Sequence, residues 1–264
     1  MTFSEKNIWI TGASSGIGKA VAEAMAREKA NLILSGRNET ALTEVAATCE
    51  SMGSMAQVVP FDLGNEESVK NAAQQVLSTF EKIDGLYHFG GVSQRSFVVE
   101  TPLEVDRKIF EVNYFGTIAL TKAVLPRMIE TGGGQIAVTS SIVGKFGFPY
   151  RSAYSASKHA LHGFFESLRA ENKSNKIRVS LIIPGRIQTN ISVNALNKDG
   201  ASHGKMDEGQ QKGKTAEASA KIICRKLKKE KKEILVGGKE LLMVYIRRFF
   251  PSLYYYMSSK VKPL

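Results

Sequence analysis

Asn7-Ile8-Trp9-Ile10-Thr11-Gly12-Ala13-Ser14-Ser15-Gly16-Ile17-Gly18 is the stretch whose reading decides the fold. Its first five residues are a short β-type run. Glycines then fall at 12, 16 and 18, and a helical apolar period begins at Ile17. A strand that turns through glycines into a helix is the setting a phosphate-binding loop requires. Gly12 permits a sharp turn, Gly16 lets the backbone approach a pyrophosphate, and Gly18 allows helix and sheet to pack closely. The helix N-terminus offers unpaired N–H groups and a positive dipole end to an anion. Ser14, Ser15 and Ile17 belong to the same candidate loop. A tight turn without a ligand is the competing reading, and the spacing and context weigh against it.

Outward from this loop, β-type runs recur at Asn7–Thr11, Asn31–Ser35, Ala56–Pro60, Gly85–Phe89, Gln135–Thr139, Arg178–Ile183 and Glu233–Val236. Helix-like stretches lie between most of them, among them Ile17–Glu28, Glu66–Thr79, Leu103–Met128 and Ser152–Asn172. Strands alternating with helices read as βαβ units on a parallel sheet. The expected fold class is α/β: a doubly wound, seven-stranded parallel sheet with helices on both faces. No composition break or repeat divides the chain, so residues 1–264 are expected to form one domain. Residues 186–215 are polar and glycine-rich with weak periodicity. A segment of that kind after the sixth strand is expected to be a substrate lid over the C-terminal sheet edge.

Tyr154 and Lys158 stand four apart in Tyr154-Ser155-Ala156-Ser157-Lys158, and Ser141 lies thirteen residues upstream. An i,i+4 pair shares one helix face. A free Tyr has a pKa of about 10, too high for ready proton exchange at neutral pH. A nearby ammonium favours the phenolate and lowers that value. Ser141 follows the run Gln135–Thr139 and so sits at a strand end, where open α/β sheets bind ligands. Each residue alone has an ordinary structural reading. Together behind a nucleotide loop they point to hydride chemistry.

The second strand ends in Leu34-Ser35-Gly36-Arg37-Asn38, with no acid to bind a ribose 2′-hydroxyl. Arg37 can instead make a charge-assisted bidentate contact to a 2′-phosphate. The cofactor expected is NADP(H). Asp62 is either an adenine contact or a cap for the helix beginning at Glu66. Cys49 and Cys224 have no metal-ligand spacing and read as inert thiols in a reducing compartment. No metal is expected.

The carriers just quoted, together with Asn113 in Val112-Asn113-Tyr114-Phe115-Gly116, Pro184-Gly185 and Thr189, resemble the short-chain dehydrogenase/reductase family over nearly the whole chain. The stretch Thr189–Ala195 and the basic tail look like a branch of dehydrogenase/reductases that includes membrane-associated members. The resemblance implies a Rossmann-type fold and an NADP(H)-dependent interconversion of carbonyl and alcohol. It implies Tyr154 as proton donor or acceptor, with Lys158 lowering its pKa and binding the nicotinamide ribose. Ser141 would polarise the substrate oxygen, and Asn113 would keep a water connected to Lys158. Implied cofactor contacts are Gly12, Ser14, Ser15, Gly16, Ile17, Gly18, Arg37, Asp62, Leu63, Gly90, Tyr154, Lys158, Pro184, Gly185, Ile187 and Thr189. One departure is His88-Phe89-Gly90-Gly91 where the family usually has Asn-Asn-Ala-Gly. His88 is expected to be a packed or solvent-facing strand residue rather than a ligand contact. The alternative function is an NADP(H)-binding regulatory or scaffold protein with vestigial chemistry.

The net charge of +11 is concentrated at the end of the chain: the last 44 residues hold 12 basic and 3 acidic side chains. Lys221–Lys232 reads as a solvated helix face. In residues 239–264, Leu241, Leu242, Tyr245, Ile246, Phe249, Phe250 and Leu253 give one helix an apolar face. Pro251 breaks or kinks it. This tail closes over the substrate pocket, packs against another subunit, or lies on an anionic membrane. The expected partners are a small carbonyl or alcohol substrate, further copies in a homodimer or homotetramer, and an anionic membrane surface. No nucleic-acid motif accompanies the charge, so nucleic acid is not expected. Strand-like sequence by Asn7 leaves no room for a secretory signal, and the expected location is cytoplasmic, with peripheral membrane attachment as an option.

Overall fold

The computed structural model describes residues 2–261. Seven parallel strands form the main sheet: β1 (Asn7–Thr11), β2 (Asn31–Ser35), β3 (Ala56–Val58), β4 (Gly85–His88), β5 (Gly134–Thr139), β6 (Ile177–Pro184) and β9 (Glu233–Val236). A separate parallel pair, β7 (Ile187–Gln188) and β8 (Lys214–Thr215), had no sequence signal because two residues carry no period. The helices are α1 (Gly16–Ala26), α2 (Glu39–Ser51), α3 (Glu66–Thr79), α4 (Leu103–Phe110), α5 (Gly116–Glu130), α6 (Ser152–Glu171), α7 (Glu208–Gln211), α8 (Ala216–Lys228), α9 (Leu242–Phe249) and α10 (Pro251–Ser259). The single helix expected over Leu103–Met128 is interrupted by a π-helical turn, Glu111–Phe115, between α4 and α5.

The sheet order is β3-β2-β1-β4-β5-β6-β9, so the winding reverses between β1 and β4. Such a switch point opens a crevice at the carboxyl ends of the strands. The inner strands, from β2 through β6 in the sheet order, are buried on both faces, which explains their near-continuous apolar runs. Alternate side chains feed two cores. Ile8, Ile10, Leu32 and Leu34 pack against α1, α2 and α8 through Met25, Leu42 and Ile223. Trp9, Ile33, Leu86 and Ile136 face the other way, toward Val76, Val124 and Phe165 of α3, α5 and α6. Burial pushes the free thiols of Cys49 and Cys224 up to about 11 and about 12, so both remain protonated at neutral pH.

The C-terminal tail folds back on the loop after β5. Tyr254 is buried against Phe146 and hydrogen-bonds the Gly147 carbonyl oxygen. The packed residues of α9 are Met243, Val244 and Ile246. Of the residues expected to form the apolar face, Ile246 packs inward, whereas Leu242, Tyr245, Phe249 and Phe250 are exposed. Pro251 separates α9 from α10, as its missing N–H requires. The end of the expected tail, residues 262–264, lies outside the described residues.

Candidate active site

A cleft of about 520 Å³ lies at the switch point. Its floor is the loop from β1 to α1. Gly12 has φ +68°, and a Cβ there would sit 2.5 Å from the Gly90 nitrogen, so backbone meets backbone. At Gly18 an added Cβ would strike the Gly12 carbonyl oxygen, which is why that helix can approach the sheet. Among the described residues no side chain caps the N-terminus of α1. Ser15 at its cap makes no side-chain hydrogen bond, and the first turn has no acid. By contrast Asn38 and Asn65 cap α2 and α3, and both those helices carry first-turn glutamates. Open N–H donors and a positive dipole end therefore face the cleft at α1 alone of the three, which fits an anionic group.

Every expected cofactor residue lines this cleft: Gly12, Ser14, Ser15, Gly16, Ile17, Gly18, Arg37, Asp62, Leu63, Gly90, Tyr154, Lys158, Pro184, Gly185, Ile187 and Thr189. Arg37 is exposed at its rim. Asp62 does not cap α3: its Oδ1 accepts from the Gly64 N–H at 2.9 Å, and Asn65 takes the cap. The capping alternative for Asp62 is therefore corrected. Glu240, which sequence reasoning passed over, braces the β6 end by accepting from the backbone N–H groups of Arg186 at 2.7 Å and Gly238 at 2.9 Å.

Ser141, Tyr154 and Lys158 line the far wall. Ser141 sits just beyond β5, and Tyr154 and Lys158 share one face of α6, as their spacing requires. Lys158 is buried and donates to the Thr139 carbonyl oxygen at 2.8 Å. Burial lowers its pKa to about 8. Its Nζ lies 5.8 Å from the Tyr154 ring centroid.

The electrostatics differ from the expectation in one respect. Tyr154 is raised above the ordinary phenol value by burial, and a hydrogen bond with Ser141 and the positive charges of Arg95 and Arg151 pull it partly back. The charges that lower it are those of Arg95, from the loop after β4, and Arg151, at the N-terminal cap of α6, while the Lys158 ammonium is hydrogen-bonded to the Thr139 carbonyl.

Asn113 lies on the π-helical turn and is buried. Its side chain accepts from the Val92 N–H at 2.8 Å and donates to the Val92 carbonyl at 2.9 Å and to Ser157 Oγ at 3.1 Å. A Cβ on Gly91 would lie 3.0 Å from Asn113 Oδ1 and 3.3 Å from Lys158 Nζ. The missing side chain keeps open the gap between those two groups. His88 is buried, as a packed strand residue, with Nε2 3.0 Å from Thr121 Oγ1. Burial, reinforced by the charge of Lys158, lowers its pKa to about 3.

Sequence reasoning missed the loop after β4 and its partners. Buried Gln94 and Arg95 and half-buried Arg151 and Asp207 form a polar cluster at the start of the helix that carries Tyr154. Arg95 and Asp207 are 112 residues apart, and no local pattern announces such a pair.

These features agree with what the chain is similar to. Residues 6–200 match the family model described as short chain dehydrogenase. The chain is 42% identical over 261 residues to dehydrogenase/reductase SDR family member 7B of Rattus norvegicus, covering 96% of this chain and 80% of that protein. It is 39% identical over 260 residues to the Drosophila melanogaster SDR family protein 7-like, covering 97% and 80%. A Burkholderia phymatum short-chain dehydrogenase/reductase solved with NAD superposes with TM-score 0.84 at 25% identity, covering 100% of this chain and 99% of that one. A Thermococcus sibiricus alcohol dehydrogenase solved with 5-hydroxy-NADP gives 0.76 at 28% identity, covering 89% and 97%. The family uses small-molecule substrates and a nicotinamide cofactor. With this glycine loop, this strand order and these relatives, the chain belongs to the short-chain dehydrogenase/reductase family of oxidoreductases, in the branch of the 7B and 7-like members.

Proposed function

We propose that the protein is an NADP(H)-dependent oxidoreductase that interconverts a carbonyl and an alcohol, with Tyr154 as proton donor and acceptor. The observation that carries this reading is the shared cleft: Ser141, Tyr154 and Lys158 stand on one wall and the uncapped α1 terminus on the floor. When bound, the cofactor supplies or receives the hydride, and the protein orients it and handles the proton. The free N-terminus of α1 and the backbone at Gly12–Gly16 hold a pyrophosphate. Arg37, exposed and without a side-chain partner among the described residues, binds the 2′-phosphate and selects NADP(H) over NAD(H). Asp62 and Leu63 border the adenine end, and Pro184, Gly185, Ile187 and Thr189 border the nicotinamide end.

Burial keeps Tyr154 protonated at neutral pH, which suits a general acid in carbonyl reduction. Ser141 holds the substrate oxygen beside it. The gap beside Gly91 admits a water between Asn113 and Lys158 to resupply the proton. Residues 186–215 act as the lid of the single catalytic domain 1–264, clipped at their base by β7 and β8. An apolar wall of Val143, Phe146, Phe148 and Tyr254 adjoins Tyr154, which favours a hydrophobic substrate such as a lipid-like or steroid-like ketone or a xenobiotic carbonyl.

The tail has two faces with two uses. Its inner face forms the wall behind Tyr154. Its outer face, with Phe249, Phe250, Leu253 and Tyr256 exposed beside Arg248, needs a cover. A second copy, in a homodimer or homotetramer, and the anionic surface of a membrane both fit it. Among the described residues no helix is long and apolar enough to cross a membrane. Flotation with anionic liposomes separates the two: salt-sensitive binding lost on deleting 239–264 selects the membrane, and a stable dimer without binding selects the second copy.

The enzymatic reading is tested by NADPH turnover against ketones, aldehydes and oxo-lipids. Turnover of at least one class supports it; NADPH binding without turnover of any supports the scaffold alternative.

A further inference from the structure

The first turn of α6, which carries Tyr154, is held from outside its own helix. Arg151, at its N-terminal cap, makes no side-chain cap bond. Gln94 supplies the cap from the loop after β4: its Oε1 accepts from the N–H groups of Ala153 at 2.9 Å and Tyr154 at 3.3 Å. Gln94 is fully buried and donates through Nε2 to Ser96, Thr101 and Ser152. The adjoining residues are tied to the lid. Arg95 N–H donates to the Leu196 carbonyl at 2.8 Å, and Leu196 N–H to the Ser93 carbonyl at 2.9 Å. The Arg95 guanidinium grips both oxygens of Asp207, with Nη2–Oδ2 at 2.6 Å, and Arg151 Nη2 reaches the same Oδ2 at 2.9 Å. The three side chains are only 4%, 9% and 15% exposed for Arg95, Asp207 and Arg151, so solvent screens this cluster little. Two guanidiniums share one carboxylate, leaving one net positive charge behind the phenol.

We propose that Asp207 is a positioning residue of the reaction: from the lid it clamps Arg95 and Arg151, and through them and Gln94 it fixes the first turn of α6 and sets the charge felt by the Tyr154 hydroxyl. The inference rests on the reading of Tyr154 as the proton donor. The carboxylate that offsets the two arginines thus belongs to the lid segment. The ionisable groups on the elements around Tyr154 include Lys158 and His162 on α6 itself, Arg95, Arg151, Asp207 and His203, Asp106 on α4, Lys145 on the turn after Ser141, and Arg247 and Tyr254 on the tail. Of the charged side chains, Arg95 and Arg151 lower Tyr154 toward phenolate. Asp207 is bonded to both and partly neutralises them.

The test is the pH dependence of kcat for NADPH-driven reduction of a water-soluble ketone. Reduction falls as pH rises through the value at which Tyr154 loses its proton. Asp207→Asn removes the offsetting charge, so that alkaline limb is expected to move down by about one pH unit. Arg151→Gln removes a cation instead, and the limb is expected to move up by about as much. Asp207→Glu restores the wild-type profile. A structural role alone lowers kcat without shifts of opposite sign. Limbs that stay put, or move the same way in both variants, overturn the inference while leaving the oxidoreductase reading standing. Should Asp207→Asn fail to fold, Asp207→Ser, which removes the same charge, takes its place, and a limb at the wild-type position overturns the inference. A wild type without turnover, or a Tyr154→Phe variant that keeps full turnover, overturns the enzymatic reading and this inference with it.

Discussion

Arg37→Asp tests cofactor choice at the lowest structural cost. Arg37 is exposed at the cleft rim and has no side-chain partner among the described residues, so the substitution removes nothing from the fold. Surface changes of this kind alter stability by about 0.5 kcal/mol or less, which is about 1–2 °C in melting temperature for a chain of this size. Binding is another matter. A hydrogen bond to a charged group contributes about 1.5–3 kcal/mol, and 1.4 kcal/mol is roughly tenfold in affinity. Loss of a guanidinium–phosphate contact should therefore lower kcat/KM for NADPH by about 10- to 150-fold, and the introduced carboxylate adds repulsion. The same carboxylate can accept from a ribose 2′-hydroxyl, raising kcat/KM for NADH by up to about tenfold. The assay is kcat/KM for both cofactors with one ketone at a fixed ionic strength near 0.1 M, where screening acts over about 10 Å. A preference ratio that moves less than about threefold, at an unchanged melting temperature, refutes the assignment of Arg37.

Three further outcomes follow from the geometry. Gly91→Ala has no left-handed backbone to strain, but its Cβ would close the gap between Asn113 and Lys158. Turnover should fall on the order of 10²-fold with little change in melting temperature, and full turnover would remove the water from the scheme. Stability should drop in acid: His88 and His162 take up protons near pH 6.5 when unfolded but only near about 3 and about 4 when folded. The unfolded chain therefore binds more protons below pH 6.5, so the full stability present above that pH drains away as pH falls toward 4, by about 3 kcal/mol or more. Urea unfolding at pH 7, 5.5 and 4.5 measures it, and a flat profile contradicts it. Tyr254→Ala removes the buried anchor of the tail. It should cost about 3 kcal/mol locally, expose Arg247 and Arg248 to trypsin, and raise KM for a hydrophobic ketone while NADPH affinity stays; an equally resistant tail would refute the anchoring role.

The sheet was readable because its physics is local. Strands buried on both faces must be apolar, and in the run Ile8-Trp9-Ile10 the two isoleucines face one core and the tryptophan the other. The glycine loop was readable because backbone meets backbone at Gly12, a constraint that only glycine relieves. The tail stayed open between three readings for an equally local reason. Periodicity in α9 marks an apolar stripe but not the side on which the protein lies; Leu242, Tyr245 and Phe249 turned outward and Met243, Val244 and Ile246 inward. The π-helical turn at Asn113 left no mark, since its residues suit an ordinary helix. Asp62 offered a capping side chain, but the chain's path brings Asn65 rather than Asp62 to the Ser68 N–H. The charge field at Tyr154 was the least legible part. An i,i+4 spacing announces Lys158, whereas Arg95 and Asp207 meet only after the fold brings distant loops together.

The most direct measurement is single-turnover NADPH oxidation and equilibrium NADPH binding by Tyr154→Phe, with the wild type alongside. Removing one hydroxyl should leave the dissociation constant for NADPH within about threefold, because the phosphates are held at α1 and Arg37. Hydride consumption should fall by about 10²–10⁴-fold, the usual contribution of a positioned proton donor. Oxidation of NADPH at the wild-type rate would contradict the account, since proton delivery would then come from some group other than Tyr154.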